Sequence, residues 1–329
     1  MSEKAVRKIL AEIERLGRES YEIAKEVITK EKFEYTPLNE ALNYFMQGWR
    51  NFHHPALLAI ACKAVGGKPE KTTLIGAALV LLTGAADIHD DVIDESKVKN
   101  SKATVYGKFG KDLSIVAGDV LFIQGLTILS MACGNLNKKQ REDVQRLIKQ
   151  GFFELGDAES EEVSFKGNWN IDPEKYLRIL TRKATIAEVA ARVGALIGGA
   201  TSKEVEEWGR IGRLLGLLMN IRNEFVDIFE VEEIRNRRDN ECLPLPVLYA
   251  ISNEKSKEKI IHLLKKKELT DDDTANLAEI VLETDEVQKF KNKVHRSIED
   301  INKLINKYKK KCKEVALLQK LTKLALSDL

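Results

Sequence analysis

Proline is scarce in this chain. The 329 residues hold six, at Pro37, Pro55, Pro69, Pro173, Pro244 and Pro246, and none between Pro69 and Pro173. Proline is kept out of helix interiors by its missing N–H and its ring clash. A long stretch without it, rich in Ala, Leu, Lys and Glu, reads as successive helices. Cysteine is scarce too. Cys62, Cys133, Cys242 and Cys312 lie far apart without CxxC spacing. That excludes a zinc ribbon and a disulfide framework and fits a reducing cytoplasm. Net charge is only +2, from 53 basic and 51 acidic residues, which argues against a nucleic-acid binder driven by a global positive field. No run of about 18 uninterrupted apolar residues occurs, so the length rule gives no transmembrane segment. The first residues, MSEKAVRKILAEIERL, are charged and amphipathic and carry no apolar signal core. With 43% apolar and 32% charged residues, neither disorder nor a membrane-embedded chain is expected. Strand-length alternation is lacking, as are Asn-Gly and Asp-Gly between apolar runs.

What is present is helical periodicity. It predicts helices over 3–30, 38–49, 55–66, 70–94, 112–133, 138–162, 173–200, 203–232, 243–252, 256–266, 271–283 and 285–309, with a last one near 312–327. Lys68-Pro69 and Asp172-Pro173 read as helix starts. The segments TLIGAALVLLTGAADI and VGALIGGA are apolar on every face, as central bundle helices are. The outer segments, such as NKLINKYKKKCKEV, are amphipathic. The expectation is a single all-α domain over residues 1–329, with about 10–13 helices and neither linker nor repeat.

The long apolar helix from about residue 70 ends in DIHDDVIDE, residues 87–95. Asp90 and Asp94 are four apart and Asp87 lies one turn earlier, so these carboxylates share one helix face. They repel one another unless cations neutralise them. Hard cations with oxygen ligands, Mg²⁺ above all, suit that role beside a substrate phosphate. By contrast, Asp271, Asp272 and Asp273 follow Thr270 at the start of an amphipathic helix, where they cap it and oppose its dipole.

DDVID at Asp90–Asp94 is followed by KATVYGKFG, AGDVL, YLRILTRKAT and LPLPVLYA. In this order and spacing the blocks resemble the all-trans polyprenyl diphosphate synthases, across roughly residues 45–310. The resemblance implies an isoprenoid synthase fold, an all-α bundle around a deep apolar cavity. It implies two acidic motifs facing each other, on the order of three Mg²⁺ ions on an allylic diphosphate, and addition of isopentenyl diphosphate to an allylic cation. Asp90, Asp91 and Asp94 match the first motif as metal ligands, with Asp90 and Asp94 catalytic. Asn223 and Asp227, in NEFVD with Glu224, match the second, altered one. Lys183 matches the lysine on the allylic diphosphate. Lys99 stands at the first arginine of an Arg-Arg pair, where it binds phosphate as a point charge. Arg237 stands in for a later phosphate-binding lysine.

The acceptor pocket departs from the family. GWRNFHHP replaces Gly-Lys-Arg-x-Arg-Pro, so Trp49 takes the lysine place, with Arg50, His53 and His54 left to bind the second diphosphate. Thr83 replaces a histidine, Asn100 the second arginine, and Asn220 a glutamine. Three readings follow. The first is a Mg²⁺-dependent prenyltransferase using isopentenyl diphosphate. The second is an enzyme that ionises the allylic substrate for another acceptor or for cyclisation. The third is a partner-dependent subunit of a heteromer. The resemblance also implies that residues just before the first motif gate the cavity, and small Ala85 and Ala86 there imply C20 or longer chains. The family also implies a symmetric homodimer formed through the apolar helices.

Overall fold

The computed structural model describes residues 3–99 and 101–327. Asn100, expected beside the acceptor pocket, lies outside the described residues. Sixteen α-helices follow in order among the described residues: α1 (Glu3–Lys30), α2 (Thr36–Gly48), α3 (His53–Ala64), α4 (Thr73–Ile93), α5 (Val105–Phe109), α6 (Lys111–Gly134), α7 (Lys138–Val163), α8 (Pro173–Lys183), α9 (Thr185–Ile197), α10 (Ser202–Asp227), α11 (Val231–Asn240), α12 (Leu245–Ile251), α13 (Glu254–Leu264), α14 (Asp271–Glu283), α15 (Asp285–Lys309) and α16 (Val315–Ser327). A two-stranded antiparallel hairpin, β1 (Val98–Lys99) and β2 (Lys102–Ala103), interrupts them with Val98 opposite Ala103. The all-α expectation holds. The helix number is higher than expected because two of the predicted helices each divide in two and α5 is added.

Helix 173–200 divides at Ala184, which sits at φ −71, ψ 0 between α8 and α9. The cause comes from α10. Arg213 Nη1 donates to the carbonyls of Thr181 at 3.0 Å and Arg182 at 3.3 Å, and Asn220 Nδ2 donates to Leu180 O at 3.0 Å. Side chains entering a helix ladder break it in this way. Helix 203–232 likewise ends at Asp227, and α11 follows separately. Neither the hairpin nor α5 was expected.

Central α4 packs on α1, α3 and α6, and α9 packs on α3, α7 and α10. Glycines permit the close pairs. A Cβ on Gly212 of α10 would lie 2.4 Å from Ala187 O, and one on Gly125 of α6 would lie 2.8 Å from Leu82 Cγ. Thr270 and Asp273 form the expected capping box on α14, and Asp172 caps α8 by accepting from Glu174 N. All four cysteines are free and buried.

One exclusion needs correcting. The segment Pro69–Ile93 and helix α6 are long and apolar enough to cross a membrane, with mean hydropathies of 1.4 and 1.8. Neither helix holds an uninterrupted apolar run of that length, yet the mean hydropathy over a window is high. The window in the first is 67% buried inside the bundle and that in α6 only 39%.

Candidate active site

A cavity of about 720 Å³ opens between α3, α4, α7, α9 and α10, with α1 and α16 on its far side. Its lining includes Arg50, His53, His54, Ala86, Asp90, Lys183 and Asn223. Seven predicted site residues therefore meet there. Asp91, Asp94, Lys99 and Asp227 stand behind or beside the mouth, and Ala85 and Arg237 lie elsewhere.

The acidic turn is set by the end of α4. Asp94 N donates to Asp90 O at 2.8 Å and Ser96 N to Asp91 O at 2.9 Å. Glu95 then takes a left-handed conformation, φ 54. A non-glycine residue there costs roughly 1 kcal/mol. The turn folds the hairpin back over the cluster, bringing Lys99 Nζ to 2.7 Å from Asp91 Oδ1 and 3.9 Å from Asp90 Oδ2. Lys166, from the loop after α7, reaches Asp94 at 3.4 Å and donates to Ile93 O. Lys183, at the α8–α9 break, pairs with Glu159 at 2.9 Å and Glu162 at 2.6 Å on α7.

Sequence reasoning missed Lys166, Glu159 and Glu162. The two glutamates had a signal in the acidic run DAESEE. Lys166 had none, because a lone loop lysine reaches the site only through the fold.

Charge at this mouth is unbalanced. Burial pushes the Asp91 carboxyl up to about 7 against the pull of Lys99. Burial, and then repulsion from Asp90 and Glu241, pushes Asp94 to about 8. Glu159 and Asp227 are raised by burial to about 7, and Asp87 is raised as well. Lys183 is held well above the ordinary lysine range, burial being outweighed by Glu162, Asp90 and Glu159. Such crowding calls for added positive charge. The donors are all oxygen, which suits Mg²⁺. Among the described residues no three His, Cys, Asp or Glu side chains converge into a closed metal cage.

The second motif splits its roles. Asn223 is exposed at the cavity, and Asp227 lies one turn on. Glu224 points the other way and is buried. It accepts from Arg237 Nη2 at 2.6 Å and from Leu245 N at 2.7 Å. Arg237 is 7% exposed and also binds Glu241 at 3.0 Å and the Tyr176 hydroxyl at 3.1 Å. The expectation that Arg237 contacts diphosphate is therefore corrected. Its guanidinium ties α8, α10 and α11 together and does not line the cavity.

The acceptor half is poor in cations. Asn51 Nδ2 donates to His54 Nδ1 at 2.7 Å and to Thr83 Oγ1 at 3.0 Å. An accepting Nδ1 places the proton of a neutral ring on Nε2. Burial, and then neighbouring His53, push His54 down to about 4, so it is neutral at pH 7. Desolvation lowers His53 as well. Trp49 stacks on Phe45 with ring centroids 4.9 Å apart, and its indole N–H donates to Asp87. Arg50 is exposed and is the cation left facing this part of the cavity.

Ala85 is fully buried and absent from the cavity wall. It lies on the α4 face between Leu82 and His89, which meet Gly125 and Gly118 of α6. The gating expectation therefore rests on Ala86 alone.

This is a helical bundle whose cavity mouth gathers carboxylates and lysines suited to a metal-bound diphosphate, the architecture of a prenyltransferase. The profile of the polyprenyl synthetase family matches residues 36–281, and the chain belongs to that family. It is 23% identical over 265 residues to the short chain isoprenyl diphosphate synthase of Methanothermobacter thermautotrophicus, covering 78% of this chain and 81% of that protein. It is 27% identical over 233 residues to heptaprenyl diphosphate synthase component 2 of Geobacillus stearothermophilus, covering 69% and 71%. The crystal structure of geranylgeranyl pyrophosphate synthetase from Pyrococcus horikoshii superposes with a TM-score of 0.80 at 19% identity, covering 98% of each chain.

Proposed function

We propose that the protein binds an allylic diphosphate at the mouth between α4 and α10, ionises it with Mg²⁺ and joins it to isopentenyl diphosphate, giving a product of C20 or longer. The observation that carries this reading is the meeting of Asp90, Asn223 and Lys183 at one cavity mouth. Asp90, Asp91 and Asp94 on one side, with Asn223 and Asp227 on the other, would hold Mg²⁺, which neutralises charge on a departing diphosphate. Lys183 and Lys99 rest on carboxylates in the free protein and are poised to turn to phosphate oxygens. In a site closed to water, such fixed charges stabilise the leaving group far better than they would in solvent. Arg50 is the cation available to an acceptor diphosphate.

Pyrophosphate release with Mg²⁺ and farnesyl or geranylgeranyl diphosphate tests this reading. Release that requires isopentenyl diphosphate supports it. A second reading, an acceptor without a diphosphate or cyclisation, is favoured by neutral His54 and by Asp87 beside Trp49, because a second buried diphosphate lacks paired cations there. Release without isopentenyl diphosphate would establish that reading. Activity only on adding a homologous chain would make this protein a subunit.

Ala86→Phe is expected to shorten the product, because it fills the first turn beneath the acidic mouth. Ala85→Phe is expected instead to destabilise the α4–α6 contact by about 1–3 kcal/mol through overpacking. Product chromatography and thermal unfolding separate the two.

A homodimer through α6 is part of the same proposal. Val116, Ile123, Leu126 and Met131 stand exposed on α6, with Ile123 and Met131 at 63% and 64%. Phe153 of α7 is also exposed. The exposed apolar side chains on this helix support the interface reading. Ile123→Glu combined with Met131→Glu is expected to halve the mass measured by light scattering. An unchanged mass would remove α6 as the contact.

A further inference from the structure

Helix α10 lies directly on the break between α8 and α9, and Gly212 and Gly216 permit that approach. A Cβ on Gly212 would lie 2.4 Å from Ala187 O, and one on Gly216 would lie 2.9 Å from Ala187 Cβ and 3.1 Å from Ala184 O. Arg213 follows the first of these glycines, and its single guanidinium reaches three other helices. Its two Nη atoms donate to Glu154 of α7 at 2.7 and 2.9 Å, and Nε donates to Glu188 of α9. Nη1 also donates to Thr181 O at 3.0 Å and Arg182 O at 3.3 Å, at the end of α8. In an unbroken helix those two carbonyls would take the N–H groups of Thr185 and Ile186. Here the backbone ladder reaches the break with Ala184 N on Leu180 O at 3.2 Å and resumes with Glu188 N on Ala184 O at 3.4 Å. Asn220 adds a donor to Leu180 O, which Ala184 N already uses. The two carbonyls withheld from the ladder are therefore those that Arg213 takes. Lys183 stands at this point and lines the cavity, whereas Arg213 is not part of the cavity wall. The resting partners of Lys183, Glu159 and Glu162, lie on the same helix as Glu154.

We propose that Arg213 is a positioning residue for diphosphate binding: it holds the α8–α9 break open and so sets where Lys183 stands at the cavity mouth. The proposal rests on the reading that Lys183 turns to an allylic diphosphate, and it adds what aims that lysine. Without the guanidinium, Thr181 O and Arg182 O lose their donors and pair with Thr185 N and Ile186 N. The chain then straightens through Ala184, and Lys183 shifts with the end of α8. The bonds to Glu154 fix the same guanidinium to α7. Lys183 and its resting carboxylates are thereby held in one frame.

The test is a double-mutant cycle of Arg213→Met with Lys183→Ala in the full-length protein, read as Mg²⁺-dependent binding of inorganic pyrophosphate by calorimetry. Arg213→Met alone is expected to weaken pyrophosphate about tenfold, and in the Lys183→Ala background by less than about twofold. Equal losses in both backgrounds, or none in the first, would overturn the proposal. Hydrogen exchange of Arg213→Met without Mg²⁺ gives a second readout. The amides of Thr185 and Ile186 are expected to exchange about tenfold more slowly, because they gain the two freed acceptors. A variant that is merely loosened exchanges faster there, and faster or unchanged exchange would also overturn the proposal. If Arg213→Met does not fold, Arg213→Lys serves in both measurements. One ammonium cannot span Glu154, Glu188 and both carbonyls, so the same changes are expected at about threefold. If the unmodified protein does not bind pyrophosphate with Mg²⁺, the diphosphate reading falls and the aiming of Lys183 falls with it. Exchange at Thr185 and Ile186 still decides in that case whether Arg213 holds the break.

Discussion

Asp90→Asn is expected to lower pyrophosphate release from an allylic diphosphate by about 10²–10³-fold, the range seen when one preorganised stabilising group is lost. The change is nearly isosteric, so the loss cannot be assigned to packing. Asp90 lines the mouth, and its charge raises Lys183, Lys99, Asp94 and Glu159 alike. At the mouth, Asp87, Asp90, Asp91, Asp94, Glu159 and Glu162 face Lys99, Lys166 and Lys183, with Arg237 adding a further pull on Glu162. Removing one negative charge from such a cluster relieves repulsion in the metal-free protein. The melting temperature without Mg²⁺ is therefore expected to hold or rise while activity collapses, the usual opposition of stability and function at a strained site. Stabilisation by added Mg²⁺ and pyrophosphate is expected to shrink in the variant, because less carboxylate remains to bind the ion. A variant that keeps both turnover and its response to Mg²⁺ would take Asp90 out of the mechanism.

That site was partly visible in the sequence for a local reason. Asp87, Asp90, Asp91 and Asp94 lie within two turns of one helix, so spacing alone groups them. Asn223 and Asp227 on α10 are what the family resemblance implies, and their spacing of four adds only that they share a face. What spacing cannot show is which way a residue points when its neighbours share the helix. Glu224 follows cavity-lining Asn223 yet faces the interior, and Ala85 and Ala86 are adjacent but only Ala86 meets the cavity. Nor can spacing show a contact made over long sequence distance. Lys166 reaches Asp94 across 72 positions, and α16 closes the cavity from the far end of the chain. The break at Ala184 was hidden for a related reason, since it is imposed by Arg213 and Asn220 from another helix. The neutrality of His54 depends on burial and then on neighbouring His53, and the residue type alone gives no hint of it.

Arg237→Ala is expected to cost about 3–5 kcal/mol, the price of breaking a buried ion pair by removing one partner. The guanidinium is 8% exposed at its side chain and satisfies Glu224 and Glu241, themselves 6% and 11% exposed. Its loss strands two buried carboxylates and leaves the Tyr176 hydroxyl, which donates to Glu162 at 2.8 Å, without its cationic neighbour. At about 2.1 cal/mol/K of unfolding entropy per residue, a chain of this size should melt roughly 5 °C lower. The paired change Arg237→Met with Glu224→Gln is expected to recover part of that loss, because it removes both charges. The glutamine oxygen can still accept from Leu245 N, but Glu241 loses its cation, so recovery stays partial. The same double variant separates a framework role from a substrate role. If Arg237 only ties α8, α10 and α11 together, the refolded double variant should bind allylic diphosphate with nearly unchanged affinity. A binding loss as large as that of Lys183→Ala, in a variant that melts normally, would restore Arg237 to the diphosphate site.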